Sequence, residues 1–120
     1  MRKNIINNMH DLSDRKRFVF SVECTVCGKK WMSATTAFTK ASDPPTTHAE
    51  EIVYTALYQK EKQAAALKAI EEAVTHLNFC PVCKRIVCDG CFMICDEIDM
   101  CVECAALLEE KGEVVETMQP

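Results

Sequence analysis

The sequence predicts a small α+β fold, and three patterns within its 120 residues lead to that prediction. An alternating apolar stretch over residues 18–32 predicts a β-hairpin. A capping box followed by apolar residues three or four apart predicts a long helix over about 47–78. The third pattern is a set of four Cys-x-x-Cys pairs: Cys24/Cys27, Cys80/Cys83, Cys88/Cys91 and Cys101/Cys104.

Eight thiols in four such pairs are the number that closes two tetrahedral zinc sites, because structural zinc takes four ligands and keeps no position open. We therefore expect two bound Zn²⁺ ions. The fold class is a small zinc-binding α+β fold with short β-hairpins, a long inserted α-helix and a short C-terminal helix.

Length and composition predict a single domain over residues 18–112, between a flexible basic tail (1–17) and a flexible acidic tail (113–120). The first tail has no apolar run of the secretory type, and no stretch of 18 apolar residues occurs anywhere in the chain. We therefore expect a cytoplasmic protein without a membrane segment, in which reduced thiols bind metal. The alternative is a secreted disulfide framework.

The charge pattern argues against a general nucleic-acid binder. The formal net charge is −4, and binding two zinc ions through eight thiolates makes it more negative still. Such a surface repels a phosphate backbone. The basic run at residues 15–17 could contact an acidic partner, but a solvated tail explains it equally well.

The predicted hairpin surrounds the first cysteine pair. Phe18, Phe20 and Val22 lie on one face of a strand, and residues 30–32 return as the second strand. Gly28 directly follows the pair, where a positive φ lets backbone amides face the sulfur. We interpret Trp31 as the apolar lid of this hairpin rather than as a recognition residue.

The long helix begins at a capping box formed by Thr47 and Glu50. Its apolar stripe is predicted at Val53, Leu57, Ala64, Leu67, Ile70, Val74 and Leu77. The polar stretch 59–63 could bend it. Because this helix is about 45 Å long, we expect part of the stripe, with Tyr54 and Tyr58 beside it, to pack on a second copy of the chain or on a partner. Packing entirely within the monomer is the alternative.

Spacing also predicts which cysteines share an ion. Four residues separate Cys83 from Cys88, so placing the second and third pairs on one ion requires a very tight reversal. The first and third pairs then form one site, and the second and fourth pairs form the other. A final helix is predicted after Cys104, ending at Gly112, and its free amides stabilise thiolates at its N-terminus.

This ladder of cysteines resembles the cross-brace zinc domains of the FYVE and RING type, and the spacing is closest to FYVE. The resemblance covers about half of the residues. It implies a treble-clef-like fold with two interleaved sites, one of Cys24, Cys27, Cys88 and Cys91 and one of Cys80, Cys83, Cys101 and Cys104. Lipid binding is not implied, because residues 75–79 lack the basic cluster of FYVE domains. The all-cysteine ladder and the position of Pro81 also depart from the RING pattern.

No residue pattern in the chain predicts an active site. His10, His48 and His76 are scattered, and none lies at ligand spacing from a cysteine pair. We therefore expect no catalytic and no cofactor-binding residues. Cys95 stands outside the pairs and is interpreted as a small buried apolar residue beside the metals, with a spare ligand as the alternative. A redox role for the pairs is a further, weaker alternative.

The expected function is that of a non-catalytic, zinc-stabilised adaptor for protein–protein interaction, with helix 47–78 as its association surface. Apolar residues between the third and fourth pairs could contribute, although packing between the metal sites would also explain them: Phe92, Met93, Ile94 and Met100. Two alternatives remain open. One is a transcription-associated, zinc-ribbon-like protein that binds nucleic acid or polymerase, and the other is a RING-like recruiter of a conjugating enzyme.

Overall fold

The computed structural model describes residues 1–95 and 97–109, and these form a small α+β fold of helices and short antiparallel strand pairs. The helices are α1 (Arg2–Asn8), α2 (His48–His76) and α3 (residues 102–109), with a 3₁₀ turn at Asp89–Cys91. The strands are β1 (Met9–Asp11), β2 (Arg17–Phe18), β3 (Phe20–Glu23), β4 (Lys30–Met32), β5 (Thr36–Ala37), β6 (Asn78–Phe79), β7 (Ile86–Val87), β8 (Phe92–Met93) and β9 (Met100–Cys101).

The N-terminal segment is folded, which corrects the expectation of a flexible tail over residues 1–17. Helix α1 packs against α2, and Ile5 is fully buried in a core that it shares with Val22 and Ile70. The Nε and Nη2 atoms of Arg2 donate to the carboxylate of Glu71, at 2.7 and 2.9 Å. The composition of this segment is polar, but Ile5 is buried, Met1 and Met9 pack against the same core, and β1 pairs with β3.

The predicted hairpin is present. Strand β3 pairs antiparallel with β4, with Val22 opposite Trp31, and β1 adds a third strand on the other side of β3. Phe18, Phe20 and Val22 are all buried, as the alternating pattern predicts. Trp31 is half-buried over the core around Ile5, so it does act as an apolar lid.

Helix α2 starts at the predicted capping box. The hydroxyl of Thr47 accepts a hydrogen bond from the amide of Glu50 at 3.1 Å. The carboxylate of Glu50 accepts from the amide and hydroxyl of Thr46, both at 2.9 Å, rather than from the amide of Thr47. The polar stretch 59–63 does not break the helix, which runs unbroken for 29 residues. Within this stretch, the carboxylate of Glu61 accepts hydrogen bonds from the amide and hydroxyl of Thr39.

The buried face of α2 agrees with the predicted apolar stripe only in part. Ile70 and Leu77 are buried, and Leu57 and Val74 pack against the cores, whereas Val53 and Leu67 are each 66% exposed. The helix also buries three alanines outside the stripe, Ala65, Ala69 and Ala73. Positions four apart advance by about 40° around a helix of 3.6 residues per turn, so this contact line winds around α2. Alanine lets the packed segments of the same chain approach the helix closely there. Apolar spacing does not distinguish these buried alanines from an exposed one such as Ala64.

The two tyrosines of α2 pack inside the chain rather than on a partner. Tyr54 and Tyr58 each lie 5.2 Å from the ring of Phe38, edge to face, and Tyr58 lies 5.2 Å from Phe18. Phe38 lies in the segment between β5 and the prolines that precede the helix, and its ring is buried in this cluster. The two tyrosines, which we expected to contact a second copy or a partner, therefore pack within the monomer.

The cysteine-rich half forms a separate core in which the thiols themselves are the buried groups. Val87 and Met100 pack among the cysteines there, between the β6–β7 and β8–β9 strand pairs. Residues 102–109 form α3, which begins directly after Cys101, earlier than predicted. Gly112 and the predicted acidic tail 113–120 lie outside the described residues.

Candidate metal centre

The structure brings eight of the nine cysteines into two groups of four. Within each group the ligand atoms all lie within 4.8 Å of one another. We call the first group site 1; its members are Cys24, Cys27, Cys88 and Cys91. We call the second group site 2; its members are Cys80, Cys83, Cys101 and Cys104. These are the two interleaved sets that the spacing of the pairs predicts.

The first cysteine pair is shaped by a tight backbone turn. The amide of Gly28 donates to the carbonyl of Cys24 at 2.9 Å, and the amide of Cys24 donates to the carbonyl of Lys29 at 2.8 Å. Gly28 has a φ of +77°, as predicted for the residue after the pair. This turn points backbone amides at the sulfurs: Cys27 N lies 3.5 Å from Cys24 Sγ, and Lys29 N lies 3.4 Å from Cys27 Sγ.

The second pair repeats this turn with a lysine in place of the glycine. The amide of Lys84 donates to the carbonyl of Cys80 at 2.8 Å, and the amide of Cys80 donates to the carbonyl of Arg85 at 2.9 Å. Lys84 has a φ of +63°, in the left-handed region that side chains rarely adopt. Sequence reasoning missed this position, although Lys84 stands four residues after Cys80 as Gly28 stands four after Cys24.

Strand β7 links the two sites. The amide and hydroxyl of Thr25 both bond to the carbonyl of Ile86, at 3.1 and 3.0 Å, which fixes the first pair against β7. Cys88 follows β7 directly, and the 3₁₀ turn returns Cys91 to the same site, with its amide 3.0 Å from the carbonyl of Cys88. The short spacer between Cys83 and Cys88 thus carries the chain from site 2 to site 1.

The fourth pair sits where β9 becomes α3. Cys101 is the last residue of β9, and its amide lies 3.3 Å from Cys80 Sγ. The amide of Cys104, in the first turn of α3, lies 3.4 Å from Cys101 Sγ. Free amides at a helix N-terminus stabilise thiolates, as we expected for this pair.

The cysteines within each site differ in the pKa of their thiols. Burial by itself raises the pKa of Cys24 and of Cys80, but backbone amides that donate to each sulfur outweigh it and lower both values to about 6. Burial, together with the neighbouring thiols, raises the pKa of Cys91 and of Cys104 to about 12. Four thiolates in one cluster repel one another, so a cation is what allows all four to ionise together.

The spacing of the sulfurs fits a tetrahedral metal ion. Zinc–sulfur bonds of about 2.3 Å place the sulfurs of a tetrahedral site about 3.8 Å apart. The Sγ atoms of Cys27 and Cys88 lie 3.6 Å apart in site 1, and those of Cys83 and Cys101 lie 3.8 Å apart in site 2. All nine cysteines are free thiols in the structure. The donor sets therefore suit a soft or borderline metal ion held by four sulfurs.

One side chain outside the cysteines contacts the sulfurs directly. Arg85 Nε donates to Cys83 Sγ at 3.1 Å and Nη2 donates to Cys101 Sγ at 3.7 Å, while Nη1 bonds to Glu103 at 2.9 Å. The sulfur of Cys83, followed by the carboxylate of Glu103, raises the pKa of Arg85. Sequence reasoning counted Arg85 only as a charge, although its position two residues after Cys83 is a signal of this contact.

The remaining candidate residues lie outside both groups. His76 stacks on Trp31 with 6.1 Å between the ring centroids, and neither His10 nor His48 belongs to a four-cysteine group. Cys95 is half-buried against the cysteine-rich core, which agrees with its interpretation as a small apolar residue. Met100 is buried and Phe92 packs on the same core, whereas Met93 and Ile94 are exposed.

Comparison with family models, with curated proteins and with solved structures gave no match for this chain. The resemblance to cross-brace domains is therefore carried by the arrangement of the cysteines alone. Among the described residues, no helix is both long enough and apolar enough to cross a bilayer; α2 has the length but is too polar.

Proposed function

We propose that sites 1 and 2 each bind one structural Zn²⁺ ion. The observation that supports this is the pair of closed four-sulfur sets at tetrahedral spacing, which leave no ligand position for a substrate or a water. Bound zinc would supply cross-links between segments far apart in sequence and no chemistry of its own. Protein purified without added metal should contain two equivalents of zinc by elemental analysis, with one readily titrated thiol for Cys95. Iron, or a single equivalent, would contradict the proposal.

On this scaffold, we infer that the protein acts as a non-catalytic adaptor that associates through α2. The observation that carries the inference is an exposed apolar face on this helix. Ile52, Val53 and Leu67 are 60%, 66% and 66% exposed, and an apolar patch, rather than a single exposed residue, indicates a contact surface. Packing within the described part of the chain leaves this face uncovered.

The exposed residues share one side of the helix because of their spacing. Ala49, Ile52, Val53 and Ala56 follow positions i, i+3, i+4 and i+7 and form an apolar patch. Leu67 lies on the same side further along the helix, separated from the patch by the polar residues at 60 and 63. We call these five residues the outer face of α2. The pattern is the one by which amphipathic helices pack on other helices or lie in apolar grooves. A protein helix or groove is accordingly the partner that this face fits.

Charged substitution on the outer face tests this function. In Val53→Glu/Leu67→Glu protein, a carboxylate would have to be desolvated in the contact, so we expect association to be lost. Thr55→Glu is the matched control, because Thr55 is also exposed on α2 but points away from the outer face. Light scattering over a range of concentrations measures self-association, and affinity capture with the three proteins detects a foreign partner.

The double variant alone should lose dimer mass or captured partner, while the control resembles the parent chain. A constant monomer mass, combined with no captured protein that depends on Val53 and Leu67, would contradict the function.

Nucleic-acid binding has less support from the charges of the described residues. Arg17, in the basic run at residues 15–17, is paired with Asp14 at 3.3 Å, and Lys30 is paired with Glu23 at 4.0 Å. Trp31 is half-buried and stacks on His76, so one face of its ring is already occupied and less of it is available to stack on a base.

Recruitment of a conjugating enzyme is a second candidate, and exposed apolar side chains near the metal sites favour it. Val82 protrudes from the second cysteine pair, Ile94 lies beyond β8, and Leu107 and Leu108 lie on α3; all four are at least half exposed. A discharge assay with charged conjugating enzymes tests it. Stimulation that Val82→Glu abolishes would support this candidate, and no stimulation at all would remove it.

A further inference from the structure

We propose that Arg85 makes the two cysteine sites unequal, so that site 2 retains its metal ion and site 1 releases its ion first. The inference deepens the proposed zinc binding, on which it rests, and it does not depend on the adaptor function. It concerns the exchange of the metal with small chelating molecules in solution.

The contacts of Arg85 are confined to site 2. Its guanidinium reaches two sulfurs of that site, Cys83 at 3.1 Å and Cys101 at 3.7 Å. Glu103 holds the third branch of the same group at 2.9 Å and so fixes its orientation. The guanidinium is planar and always charged, and it presents several donors in one rigid fork. It can therefore serve both sulfurs at once.

Site 1 receives no comparable contact in the part of the chain that the structure describes. The donors recorded at its sulfurs are backbone amides, such as Cys27 N at 3.5 Å and Lys29 N at 3.4 Å. The side chain of Lys30, which follows the first cysteine pair, is paired with Glu23 at 4.0 Å. Site 1 thus relies on neutral dipoles where site 2 also has a full positive charge.

Solvent access differs in the same direction. Cys27 is exposed, whereas three cysteines of site 2 are buried and the fourth is half-buried. Cys24 and Cys27 line an open cavity of about 490 Å³, together with His10 and Glu23. A small chelator could approach a metal ion in site 1 through this opening.

The physical effect follows from charge. Four thiolates around Zn²⁺ carry a net charge of −2, and a guanidinium that hydrogen-bonds to two of them lowers their tendency to leave the ion or take up a proton. Groups that support metal ligands in this way typically change metal affinity about 10–100-fold. Site 2 should therefore hold zinc at least about tenfold more strongly than an otherwise equal site without Arg85.

Timed removal of zinc from the full chain tests the proposal. The zinc-loaded protein is mixed with an excess of 4-(2-pyridylazo)resorcinol, which takes up Zn²⁺ and reports it by colour, while iodoacetamide alkylates each thiolate as it is freed and releases iodide. Mass spectrometry then shows which cysteines carry the label. Cys95 binds no zinc in this proposal and should be labelled at once. Zinc should then leave in two phases of one equivalent each, with label first on Cys27 and Cys88 and later on Cys83 and Cys101.

Substitutions separate the role of Arg85 from general destabilisation. Arg85→Gln should accelerate the slow phase about tenfold or more and leave the fast phase unchanged. Glu103→Gln, which keeps the guanidinium but removes its anchor, should accelerate the slow phase by less. Arg2→Gln is the matched control, because Arg2 makes a two-branched ion pair with Glu71 without touching a sulfur. It should leave both phases as they are.

Three results would overturn the proposal: release from both sites in one phase, first labelling of site 2, or a slow phase that Arg85→Gln does not change. If Arg85→Gln protein does not load two zinc ions, Arg85→Lys decides instead. A lysine keeps the charge but not the fork, so an intermediate slow phase supports the proposal and an unchanged one overturns it. Failure of the parent chain to bind two zinc ions would overturn the zinc proposal as well, whereas a monomeric chain that still shows the two phases would count only against the adaptor function.

Discussion

At the scale of single residues, the two cysteine turns show how one backbone conformation is met by different side chains. Gly28 and Lys84 occupy equivalent positions with φ of +77° and +63°. Glycine adopts this conformation without cost, whereas a residue with a Cβ atom pays about 1–2 kcal/mol. The turn at Lys84 is held nonetheless, because Asn4 bonds to its carbonyl at 3.0 Å and its ammonium lies 5.9 Å from the centre of the Phe79 ring.

Gly28→Ala should therefore lower the free energy of unfolding by about 1 kcal/mol. An added Cβ meets no atom within 4 Å at Gly28, so the cost comes from the backbone angle alone. Gly90→Ala is the control, since Gly90 has no positive φ and its Cβ would lie at an ordinary 3.8 Å from Cys88 Sγ. Urea denaturation of the zinc-loaded proteins measures both. Equal losses in the two variants would refute the explanation.

At the scale of elements, α2 shows why a helix can be predicted well while its buried face is predicted only in part. Its start at Thr47 depends on contacts within four residues, which the sequence displays directly. Its buried face depends on where β2, β3 and α1 lie, and these arrive from a distant part of the chain. Small alanines at that contact leave room for close packing. Their place in the sequence does not show whether they will be buried or exposed.

Ala73→Leu should lower the free energy of unfolding by about 1–3 kcal/mol, because Ala73 is fully buried and the added atoms must displace packed neighbours. Ala64→Leu makes the same change at an exposed position of the same helix. We expect it to shift stability by no more than about 0.5 kcal/mol. Chemical denaturation followed by circular dichroism at 222 nm compares the two. A larger loss in Ala64→Leu would mean that the buried face has been assigned incorrectly.

At the scale of the whole molecule, the chain is held by two kinds of core. The aromatic cluster of Phe18, Phe38 and Tyr58 is stabilised by burial of rings. The core around Val87 and Met100 consists mainly of cysteines and has few apolar side chains. Its strand pairs contain only two residues each, which are too short to be stable alone. The metal ions that we propose would supply the missing stability.

Removal of zinc should therefore unfold the two cores unequally. After treatment with a strong chelator under reducing conditions, amides of residues 88–109 should exchange with deuterium at the rate of an unfolded chain, because their cross-links are gone. Amides of α2 near Tyr58 should keep measurable protection, because the aromatic core there contains no cysteine. Hydrogen exchange followed by mass spectrometry gives both rates. Uniform loss of protection would show instead that the metal sites support the whole fold, and unchanged exchange would show that they support none of it.

Local chemistry in the sequence by itself determined the eight clustered cysteines, their division into two sets, the turn at Gly28, the first hairpin and the start of α2. Each depends on spacing or on contacts between near neighbours, which a linear pattern records. Only the tertiary structure decided the rest: the folding of residues 2–11 around Ile5, the alanine-lined face of α2, and the place of Arg85 at one site and not the other. These depend on which distant segments meet. The free energy of such a contact is set by both segments together, so the sequence of one segment alone does not predict it.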